Sequence, residues 1–225
     1  MDKKIIDLLK ASPLCKGMDA EKLSLLFAQG IFALRRFPAG ALIFQEGETP
    51  QSLYLLVSGR VEICRDTLSG RRILLTDITR PGDVFGEIYL FIAQGSYDMY
   101  AWSAQDTQVV AISRDFLSLK ENDLSAIIQG NLLSIFAQKA YGMKRRLDIL
   151  GGGSLKEKLA RFFASRQRPG KALQLDMTRE ALADYLGVTR PSLSRELGQL
   201  QKAGIIAVDG RRIEILDQEA LEGLL

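Results

Sequence analysis

Between residues 35 and 115, short apolar runs alternate with polar breaks centred on glycine. The runs are Ala41–Phe44, Leu53–Val57, Val61–Cys64, Ile73–Ile78 and Val109–Ile112. The breaks are Pro38-Ala39-Gly40, Glu46-Gly47-Glu48, Ser58-Gly59-Arg60, Ser69-Gly70-Arg71, Pro81-Gly82-Asp83 and Gln94-Gly95-Ser96. Short β-rich runs with turn signals at this spacing predict an antiparallel sandwich or barrel. Upstream, Lys3–Phe32 reads as helical, with Leu23, Leu26 and Phe27 at helical spacing behind an Asp19-Ala20-Glu21 start.

Beyond residue 115 the apolar period lengthens. Ile128, Leu132, Ile135, Phe136, Ala140, Met143, Leu147 and Leu150 recur at steps of three and four, which predicts one long helix. Such a stripe can pack on its own domain or form a dimer seam, and the length of the helix favours the seam. Gly151-Gly152-Gly153-Ser154 ends the pattern and suits a hinge. Leu155–Arg166 is a second amphipathic helix, rich in basic residues. The expected organisation is α+β: a β-rich unit over 1–118, a long helix over 119–150 and a helical unit over 151–225.

Residues 178–197 carry the most specific pattern. Thr178 is placed to cap a first helix, Gly187 to make a tight turn, and Thr189 to cap a second helix that tolerates Pro191 in its first turn. Leu193, Leu197 and Leu200 share the inward face of that helix, which points Arg195 and Lys202 outward and leaves Arg190 at its start. Arg and Ser near a helix N-terminus suit a DNA major groove, since Arg bonds guanine with two hydrogen bonds and Ser bonds several bases. Asp209-Gly210 between apolar runs predicts a hairpin with Arg211 and Arg212 at its tip. A helix-turn-helix followed by a basic hairpin is a winged DNA-binding domain. The bland alternative is an ordinary helical pair with a solvated charged face.

Charge agrees with that placement. Among 225 residues the net charge is only +3, but residues 151–213 hold 12 basic against 6 acidic residues, while 1–150 hold 18 against 17. No histidine is present, which removes His-dependent triads, His metal sites and His-ligated haem. No catalytic or metal site is therefore expected, and a cupin-type enzyme lacks its usual ligands. Two cysteines, Cys15 and Cys64, are too few for a four-thiolate cluster and fit a reducing cytosol. The apolar run Ile88–Ala93 is too short to span a bilayer, so a cytoplasmic chain without a membrane partner is expected.

The order of parts, together with Pro81-Gly82-Asp83-Val84-Phe85-Gly86-Glu87 and Leu186-Gly187-Val188-Thr189-Arg190-Pro191-Ser192-Leu193-Ser194-Arg195, resembles the CRP/FNR family of bacterial transcription regulators along essentially the whole chain. The resemblance implies a cyclic-nucleotide-binding-like jelly roll (a β-roll), a long dimerisation helix and a C-terminal winged helix-turn-helix. It further implies a homodimer on double-stranded DNA with a two-fold symmetric site, seamed by Ile128, Leu132, Ile135, Phe136, Ala140, Met143, Leu147 and Leu150. RNA polymerase joins the partners if the chain is an activator. In the family's DNA-reading helix an Arg near the start, the Glu beside it and a second Arg five residues on contact bases. Arg190 and Arg195 match the two Arg, but Pro191 stands at the Glu position, so Ser192 or Ser194 takes over part of the reading. Thr178 and Thr189 resemble phosphate contacts, and Lys202, Arg211 and Arg212 complete the expected DNA-binding set.

The ligand site departs further. Members that bind cyclic AMP follow the Gly-Glu pair with an Arg-Ser about ten residues on. Gly86 and Glu87 match, but Tyr97-Asp98 stand where Arg-Ser is expected, and no Lys or Arg occurs between Glu87 and Ser113. A phosphate buried against Asp98 without a cation is disfavoured. The implied effector is therefore an unidentified small molecule other than cyclic AMP, contacting Gly86, Glu87, Tyr97, Tyr100, Met143 and Lys144. For the two tyrosines, strand packing is the competing reading. The four-cysteine oxygen sensor and the haem-based carbon monoxide sensor of the family both lack their ligands here. Two alternatives stay open: a ligand-binding module acting through protein contacts, and a thiol-responsive regulator. For the latter Cys15, beside Lys16, is the candidate reactive thiol and Cys64 reads as an apolar filler.

Overall fold

The computed structural model describes residues 2–67, 69–92, 95–118, 123–167, 172–175 and 177–225. Gln94 of the expected Gln94-Gly95-Ser96 turn, Ala93 and the first residues of the expected long-helix segment, 119–122, lie outside them. The chain forms two compact units, Met1–Phe136 and Ala137–Leu225. One helix, α3 (Asp123–Leu150), contributes to both.

In the first unit, α1 (Lys3–Ala11) and α2 (Ala20–Ala28) precede the strands, capped by the carboxylates of Asp2 and Asp19. The helical reading to Phe32 overshoots, because Phe32 opens strand β1 (Phe32–Phe37). There follow β2 (Leu42–Phe44), β3 (Ser52–Ser58), β4 (Val61–Asp66), β5 (Arg72–Ile78), β6 (Val84–Phe85), β7 (Tyr100–Ser103) and β8 (Thr107–Ser113). They make two four-stranded antiparallel sheets ordered β1-β8-β3-β6 and β2-β7-β4-β5, an eight-stranded jelly roll. The two-residue side-chain period divides β8 between two cores. Val110 and Ile112 pack with α1, α2 and the first half of α3, whereas Val109 joins Ile43, Phe44, Val61, Ile63, Phe85 and Tyr97 in the other cluster.

The second unit holds the rest of α3, then α4 (Leu155–Arg166), β9 (Leu173–Gln174), α5 (Arg179–Leu186), α6 (Arg190–Lys202), β10 (Ile206–Asp209), β11 (Arg212–Ile215) and α7 (Gln218–Glu222). Its sheet is ordered β10-β11-β9. Leu159, Phe162, Phe163, Leu182, Leu186, Leu193, Leu197, Leu200, Ile206 and Ile213 form one core. Ile149, on the last turn of α3, belongs to that core. The glycine stretch after it is tied down on both sides: Gly151 N–H donates to Leu147 O at 2.8 Å and Gly153 N–H to the Glu157 carboxylate at 2.8 Å. The boundary between compact units falls inside α3, and Gly151–Gly153 form a hydrogen-bonded turn within the second unit.

Candidate nucleic-acid interface and ligand site

The helix-turn-helix is built by its caps. Thr178 Oγ1 accepts from Ala181 N–H at 3.1 Å to start α5. Gly187 ends it at φ +67°, the left-handed conformation that glycine adopts without a Cβ penalty. Thr189 then accepts from Ser192 N–H at 3.4 Å to start α6, whose first turn admits Pro191 because that N–H has no helical partner to lose. With Leu193, Leu197 and Leu200 buried, the face of α6 carrying Arg190, Ser194 and Arg195 is exposed, and Ser192 is half-buried beside it. Arg195 Nη2 donates to Ser192 Oγ at a long 3.5 Å. Arg190 lies 3.7 Å from the Glu180 carboxylate with both side chains mostly in solvent, a weak contact that leaves the guanidinium available. Lys202 is the exception in this set. It sits in the last turn of α6, about 18 Å along the axis from Arg190, where a cation complements the helix dipole.

The hairpin β10–β11 pairs Asp209 with Arg212 around Gly210, and Arg211 and Arg212 are both exposed at its tip. Sequence reasoning missed the residue that fixes it. Arg179 Nη2 donates to Gly210 O at 3.0 Å, joining the first turn of α5 to the wing. Its Nη1 is buried with no hydrogen-bond partner among the described residues, and burial holds its pKa below the usual guanidinium value. The available signal was its place directly after the capping Thr178.

Within the first unit, the expected ligand residues lie on different faces of the jelly roll. Gly86 holds φ +74°, and a Cβ there would meet the Tyr54 ring at 3.3 Å. Glu87 beside it is buried, at 1% exposure. Tyr97 is 2% exposed and stacks on Phe44 with ring centroids 4.0 Å apart. Tyr100 points elsewhere, because alternation along β7 buries Ala101 and Ser103 and turns Tyr100 and Trp102 to the other face. There its hydroxyl donates to Asp66 at 3.0 Å and Arg72 lies over both rings. Met143 and Lys144 belong to the second unit, where Met143 is exposed and Lys144 pairs with Asp148 at 3.1 Å.

The expected dimer stripe also divides. Ile128, Leu132 and Ile135 are buried in the core of their own unit and Phe136 packs against it, so these residues present little or no surface to a partner. Ala140, Met143 and Leu147 are exposed, Leu150 is half-buried, and Leu133 and Tyr141 add exposed apolar surface that sequence reasoning left out. Neither cysteine fits a reactive thiol. Cys15 is fully buried, and burial raises its pKa to about 11 against a smaller opposing hydrogen bond from Ser12. Cys64 is buried as well, and burial again raises its pKa. Burial of both thiols weighs against the thiol-responsive alternative, for which Cys15 is the candidate.

Comparison with known proteins agrees with this anatomy. Residues 157–224 match the Crp-like helix-turn-helix domain and residues 34–123 the cyclic nucleotide-binding domain. The chain is 30% identical to a CRP-like cAMP-activated global transcriptional regulator of Mycobacterium tuberculosis, covering 82% of this chain and 84% of that one. It is 29% identical to the cyclic AMP receptor protein of Thermus thermophilus over 95% and 97% of the two chains. The crystal structure of the Thermus thermophilus catabolite activator protein superposes with a TM-score of 0.53 at 29% identity, over 95% of this chain and 98% of that chain. The chain belongs to the CRP/FNR family, whose members are DNA-binding transcription regulators with a ligand-binding domain and not enzymes.

Proposed function

We propose that the protein is a homodimeric, sequence-specific regulator that binds two-fold symmetric DNA and responds to something other than cyclic AMP. The observation that carries the DNA assignment is the capped pair α5 and α6 with Arg190, Ser194 and Arg195 exposed at the start of the second helix. Arg and Ser at these positions read base edges, while the hydroxyls of Thr178 and Thr189 and the wing cations Arg211 and Arg212 hold phosphates. Lys202 is at most a peripheral phosphate contact. Dimerisation is supported by α3, on which Leu133, Ala140 and Leu147 recur every seven residues, all exposed. Such a dimer, working in the bacterial cytoplasm, presents two reading helices related by a two-fold axis, as a palindromic site requires.

The competing effector is cyclic AMP, which two relatives bear in their names. Against it stand the absence of any Lys or Arg between Glu87 and Ser113 and the carboxylate of Asp98 where the Arg-Ser pair is expected. The test is native mass spectrometry combined with titration of a palindromic duplex library at several salt concentrations. A dimer whose affinity falls by about 0.9 log units per log unit of salt for each phosphate contacted is the expected result. A monomer, or an affinity for duplexes that does not vary with salt, overturns the reading.

A further inference from the structure

The space between the two sheets of the first unit is filled with aromatic rings. Phe85 stacks on Tyr54 with centroids 5.3 Å apart, Tyr54 on Phe44 at 5.9 Å, and Phe44 on Tyr97 at 4.0 Å, nearly parallel at 15°. Tyr89 closes the row, edge-on to Tyr97 at 4.9 Å. The row draws on β2, β3, β6 and the segments on either side of Gly95, so it links both sheets.

Tyr97 is anchored at three further points. Its hydroxyl donates to Ser52 O at 3.3 Å, its N–H donates to Glu48 O at 3.0 Å, and its carbonyl accepts from Gly47 N–H at 2.9 Å. Beside it, the Tyr89 hydroxyl donates to the Asp98 carboxylate. Burial, reinforced by Asp98, raises the pKa of Tyr89 and keeps that proton in place. The face of Phe44 is covered by the Tyr97 ring of the chain itself. The nearest charged groups following Tyr97 in sequence are acidic, Asp98 first.

We propose that Tyr97 is the resident occupant of this chamber and the Tyr89–Asp98 hydrogen bond its latch, so that the unit excludes nucleotide ligands and the chain binds DNA with the chamber closed. The proposal rests on the reading of this chain as a DNA-binding regulator and adds what sets its ligand specificity. A cyclic nucleotide entering would have to displace a buried aromatic ring and disturb the hydrogen bond from the Tyr89 hydroxyl to the Asp98 carboxylate.

Calorimetric titration of the full-length protein with cyclic AMP and cyclic GMP at millimolar concentration is the first test. No saturable heat is expected, and duplex affinity should change less than twofold with either nucleotide present. Saturable binding of either one by the wild-type chain overturns the proposal. The second test is Tyr97→Ala with phenol as the probe. If the ring is an occupant, phenol refills its place and raises the melting temperature of the variant in a dose-dependent way, with no such rise in the wild type. A folded variant indifferent to phenol also overturns the proposal. Should Tyr97→Ala fail to fold, the wild-type titration still decides. Failure of the wild-type chain to bind duplex DNA would defeat the regulator reading alone, leaving the titration and the rescue to judge the chamber.

Discussion

Arg179 and Gly210, 31 residues apart in sequence, are joined by a 3.0 Å hydrogen bond from the guanidinium to the backbone carbonyl. The bond ties the first turn of α5 to the tip of the β10–β11 hairpin, so the wing is held by the same helix pair that presents Arg190 and Arg195. Arg179→Ala should loosen the wing without unfolding the unit, at a cost of about 1 kcal/mol for one lost hydrogen bond. Amide exchange at residues 209–212 should accelerate. Duplex affinity should fall by a similar factor on cognate and altered sites, because positioning is lost and base reading is not. Exchange rates identical to wild type would remove the wing-anchoring role.

Arg195 is the opposite case. Its side chain is exposed and its hydrogen bond to Ser192 is long, at 3.5 Å, so truncating it removes little from the fold. Arg195→Ala should leave the melting temperature within error while costing about 1–3 kcal/mol of discrimination at one base pair of each half-site. Competition between duplexes differing at single positions gives that number. An equal loss of affinity at every sequence would reassign Arg195 to the phosphates.

The two faces of α3 predict two phenotypes. Ile128 is fully buried in its own unit, so Ile128→Ala should cost about 2–5 kcal/mol of stability, read by urea unfolding. Leu147 is 68% exposed, and Leu147→Glu should leave the monomer fold intact and weaken the dimer, read by sedimentation equilibrium across a concentration series. An unchanged association constant for Leu147→Glu would move the dimer seam off this face.

What the sequence made legible follows local chemistry. The winged helix was readable almost residue by residue, because Thr178, Gly187, Thr189 and the Asp209-Gly210 turn each act on their immediate neighbours. Each of the five runs read as strands overlaps a strand, with Ala41 falling just before β2, whereas β1, β6 and β7 went unread. Phe32–Phe37 carries Arg35 and Arg36, Val84–Phe85 is two residues long, and Tyr100–Ser103 buries only small residues. Long-range geometry decided the rest. Periodicity places Ile128 and Leu147 on the same helix, but only the packing of α1, α2 and the β1-β8-β3-β6 sheet tells which of them is already covered. Tyr97 and Tyr100 differ by three positions, and their assignment to opposite faces depends on where β7 begins.

Burial of the thiols leads to a prediction about alkaline pH. Cys15 has a folded pKa of about 11 against an ordinary value of 9.0, so the folded state binds its proton more tightly than the unfolded chain does. The resulting stability is fully present below pH 9 and is lost as pH rises from 9 through 11, by an amount on the order of 2–3 kcal/mol for a shift of this size. Tyr89 and Tyr97, whose pKa values are also raised by burial, act in the same direction above pH 10. Urea unfolding midpoints should therefore fall between pH 9 and 11, and Cys15→Ser should flatten the first part of that fall. At pH 8 the folded protein should react with iodoacetamide at Cys15 only as fast as the site opens, since thiolate and access are both lacking. Rapid labelling of Cys15 in the native protein at pH 8 would restore a thiol-responsive regulator as the better description.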